Sequence, residues 1–322
     1  MNRRVPRRAA VPVAALSLIL TACGGQAEGG GSGDDGSLAG EIVTDGSSTV
    51  QPLTQVAGEL FKEEQPDVNV SVGTAGTGGG FEKFCIGETD ISNASRPIDE
   101  EEEVPVCEKN GIEYTELQVA VDALTVVVSA ENDFVTCLTT DELATLWGPE
   151  AEDKITTWDQ VNPDFPSEEI ELFGPGTDSG TFDYFTDVIN GEEGASRSDY
   201  TSSEDDNTLV QGVAGSPNAL GYFGFSYYEE NADSLKAVEI DSGEGCVPPS
   251  PETAQDGTYT PLARPLFIYP SNSAVEEGPE LAAFLDFYAE NNAEIAEAAK
   301  FIPLNEEQST ELQQKTSELT GS

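Results

Sequence analysis

Histidine is missing from all 322 residues of this chain. Without an imidazole there is no Ser-His-Asp triad, no Cys-His dyad and no histidine-bearing zinc site, so those routes to hydrolysis and metal chemistry are closed before any motif is read. Basic side chains are scarce as well: 14 Lys and Arg stand against 61 Asp and Glu, a formal net charge of −47. No basic patch can offset that field, which excludes a nucleic-acid partner. The acidity reads as a solubilising or salt-adapted surface, and any bound anion has to be held by local donors against long-range repulsion. Long apolar runs are also lacking. The run from Val11 to Leu20 is too short to span a bilayer.

What is present begins with export. Arg3, Arg4, Arg7 and Arg8 precede that apolar run, and small residues follow it, so residues 1–22 read as a secretory signal. "LTAC" resembles a bacterial lipobox, which implies that Cys23 is acylated and tethers the chain to the outer face of a cell membrane. Residues 23–40 are Gly-rich and read as a flexible tether. Cys85, Cys107, Cys137 and Cys246 remain, an even number that in an exported chain favours two disulfides. Three pairings are possible, and Cys85–Cys107 with Cys137–Cys246 is favoured because each bridge then stays inside one expected domain. The length suggests two such domains.

From Glu41 onward, short apolar runs alternate with runs of helical spacing, which argues an α/β architecture. "EIVTDG", "DVNVSVG", "ALTVVVS", "IELFGPG", "ALGYFGF", "LKAVEI" and "RPLFIYP" read as strands. "STVQPLTQVAGELFKEE", "GTGGGFEKFCIGE", "TTDELATLWG", "TFDYFTDVI", "NTLVQGVAG" and "PELAAFLDFYAENNAEIAEAAKF" read as helices. Thr139 and Glu142 have capping-box spacing, and "GEGCVPPSPETAQDGTYTP" reads as a connecting loop. Trp147 and Trp158 are assigned to core packing.

Three strand-to-helix junctions share one composition: "DGSSTV" (Asp45 to Val50), "GTGGGF" (Gly76 to Phe81) and "TDSGTF" (Thr177 to Phe182). A helix start leaves backbone N–H groups unpaired and carries partial positive charge, glycine lets a ligand approach the backbone, and hydroxyls add adjustable donors. Singly, each junction is better read as a simple N-cap. Together they suggest an anion cradle at the carboxyl ends of strands. "DSG" also occurs around nucleophilic serines, but Ser179 has no histidine or nearby lysine to take its proton, so it reads as a donor.

On "DGSSTVQPL", "GTGGGFEKFCIGETDISNASRPI", "GPGTDSGTFDYFTDVI", "SEDDNTLVQGVAGSPNALGYFGFSYY" and "PLARPLFIYP", the chain resembles the phosphate-binding lipoproteins of bacterial phosphate ABC transporters, the PstS family. The resemblance implies a two-lobed periplasmic-binding-protein-like fold of type II with hinge strands near Ala123 and Leu266. Lobe I would hold residues 41–121 plus 265–322, and lobe II residues 122–264. It implies a monomeric receptor that binds inorganic phosphate without a metal or cofactor and hands it to permease subunits. A phosphohydrolase on the same fold is the alternative. Carried over position by position, the site would comprise Ser48, Thr49, Thr77, Ser179, Gly180 and Thr181 as donors. Asp90 would accept a proton that phosphate has and sulfate lacks. Many relatives carry an arginine four positions before the "SGT" serine, where this chain has Pro175; Arg96 is the favoured replacement, Arg197 the second, and Arg264 is read as structural. Asp178 is assigned to a cap or an arginine pair, and the run from Glu204 to Asp206 to a solvated helix start.

Overall fold

The computed structural model describes residues 37–177 and 179–322. The expected signal, Cys23, most of the tether and Asp178 lie outside the described residues. β1 (Ala39–Gly46) buries alternate positions, Ile42, Thr44 and Gly46, as a half-covered strand should. α1 (Gln51–Glu64) follows the Ser47–Thr49 turn with Pro52 in its first turn, where the missing N–H costs nothing, and buries Leu53, Thr54, Ala57 and Phe61 on one face. β2 (Asp67–Val72), α2 (Gly76–Phe84) and β3 (Ile91–Ala94) complete a parallel unit in which β1 lies between β2 and β3. Parallel pairing forces both α1 and α2 to begin at the carboxyl ends of the strands.

After α3 (Val104–Asn110) the chain enters β4 (Leu117–Ser129), whose 13 residues are almost all buried. The next elements are β5 (Cys137–Thr139), α4 (Thr140–Trp147), β6 (Glu171–Gly174), α5 (Gly180–Phe185), β7 (Thr201–Ser202), α6 (Asp206–Ala214) and β8 (Ala219–Gly224). β9 (Leu235–Ala237), β10 (Glu239–Asp241), β11 (Cys246–Val247) and β12 (Ala263–Pro270) complete the strands. The main sheet runs β2-β1-β3-β12-β4-β8-β6-β7, with β9 also against β4, while β11, β10 and β5 form a small second sheet. β4 pairs with β12 through its first half and with β8 through its second. Its side chains divide accordingly: Leu117, Val119 and Ala120 join a core with Phe61, Leu266, Phe284 and Tyr288, whereas Leu124, Val126 and Val128 join another with Trp147, Trp158, Phe185 and Tyr222. Each such large side chain contributes about 1.5–3 kcal/mol on burial. One strand is therefore held by both cores.

The expected disulfides Cys85–Cys107 and Cys137–Cys246 are both present. The Thr139–Glu142 capping box forms, with the Glu142 amide donating to Thr139 Oγ1 at 3.1 Å and the Thr139 amide to Glu142 Oε2 at 2.8 Å. The segment "LKAVEI" is not one strand: β9 pairs with β4 and β10 with β5, so the chain passes from one sheet to the other at Val238. The connecting loop also contains a short helix, Pro251–Gln255, capped by Ser250. The last helix, Glu306–Thr320, went unread because only Leu312 and Thr316 of its 15 residues are buried, too few for an apolar stripe.

Candidate functional site

Three segments distant in sequence form one wall of a cavity of ≈ 500 Å³: Ser47, Ser48 and Thr49 after β1, the turn from Ala75 to Gly79 opening α2, and Ser95, Arg96 and Pro97 after β3. All follow the carboxyl ends of parallel strands. Asp45 fixes two of them together. Its Oδ1 accepts the amides of Gly46 and Ala75, each at 2.8 Å, and Lys83 pairs with Oδ2. Burial tends to raise the Asp45 carboxyl, but the Lys83 hydrogen bond and the two amides outweigh it and hold it below the usual range. Gly46 has φ +133°, and a Cβ there would lie 2.2 Å from Asn93 O. A Cβ on Gly80 would lie 2.5 Å from Gly46 Cα, so this glycine pair lets α2 settle on β1. Thr77 Oγ1 accepts the Ser95 amide at 3.2 Å, tying the second segment to the third.

The facing wall comes from α5 and the residues after it: Gly180, Asp183, Tyr184, Asp187 and Glu193. Ser179 caps α5 by accepting the Thr181 amide at 3.2 Å. The walls nearly touch at Gly180, where a Cβ would meet Thr49 Oγ1 at 2.6 Å and Ser48 Oγ at 3.3 Å. Two arginines border the space. Arg96 donates to both carboxylate oxygens of Glu103 at 2.8 Å and to Pro97 O at 3.0 Å, and the Glu103 hydrogen bonds raise its already high pKa. Arg264, on β12, donates from Nε to Asp122 Oδ2 at 3.2 Å and from Nη2 to Thr49 Oγ1 at 3.0 Å, and its guanidinium carbon lies 3.7 Å from the Tyr184 ring centroid. Burial pushes the Asp122 carboxyl up, and Arg264 offsets part of that rise.

Sequence positions 30–292 match the PBP superfamily domain. The chain is 45% identical to the protein SphX of Synechocystis over 93% of its own length and 86% of that protein's. It is 41% identical to the phosphate-binding protein PstS of Staphylococcus saprophyticus over 95% of its own length and 92% of that protein's. The chain belongs to the PstS family of the PBP superfamily. Its two-lobed PBP-like fold agrees with the crystal structure of a possible phosphate binding protein from Planctomyces limnophilus, at 46% identity and TM-score 0.82, covering 88% of this chain and 99% of that one. Members of the PstS family are named as binding proteins and not as enzymes, which leaves the phosphohydrolase alternative without support. Among the described residues no group of three His, Cys, Asp or Glu is placed to hold a metal ion, and no helix is long and apolar enough to cross a membrane.

Of the residues singled out in this PstS-type chain, Ser48, Thr49, Thr77, Arg96 and Gly180 line the cavity. Ser179 and Thr181 flank Gly180 outside the lining. Asp90 does not belong to it. It precedes β3 at the amino end, accepting the Val43 amide on Oδ2 at 2.8 Å, whereas the cavity opens beyond the other end of that strand at Ser95. Four strand residues separate the two, a distance of about 16 Å at the usual rise per residue. Arg197 is also elsewhere: it is buried, its guanidinium shared between Asp199 and the carbonyls of Leu146 and Ile155. Arg264, expected to be purely structural, stands in the cavity wall. A sequence signal for it existed. Asp122 and Arg264 are lone opposite charges in two otherwise apolar strands, and the register pairs them directly. Asp205 does cap α6, accepting the Asn207 amide at 3.0 Å, but Asp206 is half-buried, not solvated.

Proposed function

We propose that this chain is an extracytoplasmic receptor for inorganic phosphate, anchored through an acylated Cys23, that passes its ligand to the permease subunits of an ABC importer. The observation that carries the reading is the donor wall. Hydroxyls of Ser48, Thr49, Thr77 and Ser95 converge there with the amide-rich turn at Ala75 to Gly79, and Arg96 stands beside them. An anion placed among such donors gains charge-assisted hydrogen bonds of about 1.5–3 kcal/mol each, and a net of about 8 kcal/mol gives a dissociation constant near 1 μM. The names of the relatives, most of them phosphate-binding proteins, support the same ligand.

Residues 41–121 with 265–322 act as one lobe and 122–264 as the other, with β4 and β12 crossing between them. Closing the lobes brings Gly180 against Thr49, and the ligand's contacts to both walls favour that state. With Asp90 outside the cavity, the carboxylates able to accept a proton from the ligand are those of Asp183, Asp187 and Glu193. Titration calorimetry on the purified chain tests the reading: one phosphate bound per chain in the micromolar range or tighter is expected, and a folded chain that binds none refutes it. Mass analysis of membrane-extracted protein tests the anchor, because a lipid-modified Cys23 must appear as the mature first residue.

A further inference from the structure

We propose that Arg264 is the guanidinium that takes the anion, supplying from the crossing strand β12 the positive charge that Pro175 leaves out of the α5 loop. The inference rests on the phosphate-receptor reading and assigns a determinant of affinity within that site. The two cavity-lining arginines differ in how they are held. Arg96 is half-exposed and grips both oxygens of Glu103 in its own wall, so its fork already has a carboxylate partner. Arg264 is largely buried and meets three parts of the chain at once: Asp122 on β4, the Thr49 hydroxyl on the donor wall and the Tyr184 ring on the facing wall. Its one contact to the donor wall is a neutral hydroxyl. An oxyanion seated between Ser48, Thr49 and Thr77 would be a stronger acceptor for the remaining N–H donors of the same fork.

The supports of Arg264 suit this role. Asp122 lies directly across the strand pair and fixes Nε, so the fork is oriented before any ligand arrives. Tyr184 closes the other face, and its hydroxyl is itself held by Pro261 O at 2.5 Å. A side chain packed this way loses little freedom when it binds, which is what preorganisation requires. Asp122 also matches the arginine's charge, so it tempers the pull on an anion as well as positioning it.

Titration of inorganic phosphate into the wild-type chain, Arg264→Lys and Asp122→Asn at low ionic strength tests the assignment. Arg264→Lys keeps a charge but loses the fork, and affinity should fall roughly tenfold to hundredfold. Asp122→Asn keeps an acceptor for Nε but removes the opposing charge, and affinity should rise by about threefold or more, an advantage that salt erases. Affinity in Arg264→Lys within about threefold of wild type overturns the proposal. So does a fall in Asp122→Asn, which is the result a purely structural ion pair gives. If Arg264→Lys does not fold, Asp122→Asn decides alone by the direction of its shift. A folded wild-type chain that ignores phosphate removes the receptor reading and this assignment together, whereas wild-type binding with both variants unchanged removes only the assignment.

Discussion

One wall of the cavity presents Ser47, Ser48, Thr49, Thr77 and Ser95 around an amide-rich turn, and the other presents Asp183, Asp187 and Glu193 around Gly180. Both follow strands of one sheet, yet their chemistries oppose each other. The first lines the cavity with donors, its Glu103 carboxylate already gripped by Arg96; the second lines it with three carboxylates and, at its closest point, with no side chain at all. A carboxylate about 8 Å from a monoanion costs about 0.5 kcal/mol in water-like surroundings and about 2 kcal/mol at a protein-surface dielectric. The acidic wall therefore subtracts from affinity unless its groups accept protons from the ligand. Binding has to be won by short-range hydrogen bonds on the donor wall, in a chain whose net charge of −47 repels anions at long range.

If that asymmetry is functional, the largest effect should come from keeping the walls apart. Gly180→Val sets a branched side chain where a single Cβ already meets Thr49 Oγ1 at 2.6 Å. Holding the walls apart lets water reach an anion on the donor wall and weakens its charge-assisted bonds, so phosphate affinity should fall by about hundredfold, read by calorimetry. An unchanged affinity would mean that the donor wall binds alone. Next in size is the brace behind that wall. Asp45→Ala frees the amides of Gly46 and Ala75 and the Lys83 ammonium, loosening the turn against its neighbour. Affinity should drop about tenfold and the melting temperature by a few degrees. A melting loss with affinity intact would make Asp45 a stability residue only.

The acidic wall gives a smaller effect of opposite sign. Asp187 is exposed at the cavity edge, and so is Glu193. Asp187→Asn combined with Glu193→Gln should tighten phosphate binding several-fold at low ionic strength, the gain fading as salt shortens the screening length to about 10 Å at 0.1 M. Weaker binding in the double variant would instead show that one of these carboxylates accepts a proton from the ligand.

What could be read in the sequence divides along similar lines. The donor wall was legible because its residues are local: small hydroxyl residues and glycines at a helix start announce themselves within six positions. The alternation of strands and helices followed from equally short-range patterns, whereas the two disulfides, one of them spanning 109 residues, followed from the expected division into domains. Residues placed by register were not legible. Ser95 and Asp90 sit at opposite ends of β3, and choosing between them requires knowing that the strand runs four residues and which end faces the cavity. Arg264 was assigned a passive part because β12 looked like a plain hinge strand. Only the pairing with β4 shows that its charge is matched, oriented and turned toward Thr49. Arg197, the second choice for the anion's arginine, is taken up by Asp199 and by the carbonyls of Leu146 and Ile155.

The contrast between a matched and an unmatched charge extends to two carboxylates away from the cavity, where the expected effects are smallest. Asp199 is held at about 2, mainly by the Arg197 hydrogen bond, so its contribution to stability is present above the unfolded value near 4 and is lost as pH falls toward 2. Asp206 is raised to about 6 by burial first and then by Asp205 and Glu204, so it favours folding only when protonated, and that support is lost as pH rises from about 4 through 6. Asp199→Asn should therefore lower stability at pH 7, with the deficit shrinking below pH 4. Asp206→Asn should raise stability by about 1–2 kcal/mol at pH 7, with no gain near pH 4. Urea unfolding across this range reads both. Equal pH profiles for the two variants would mean that the pairing of Asp199 and the crowding of Asp206 do not govern their titration, and phosphate affinity should move in neither.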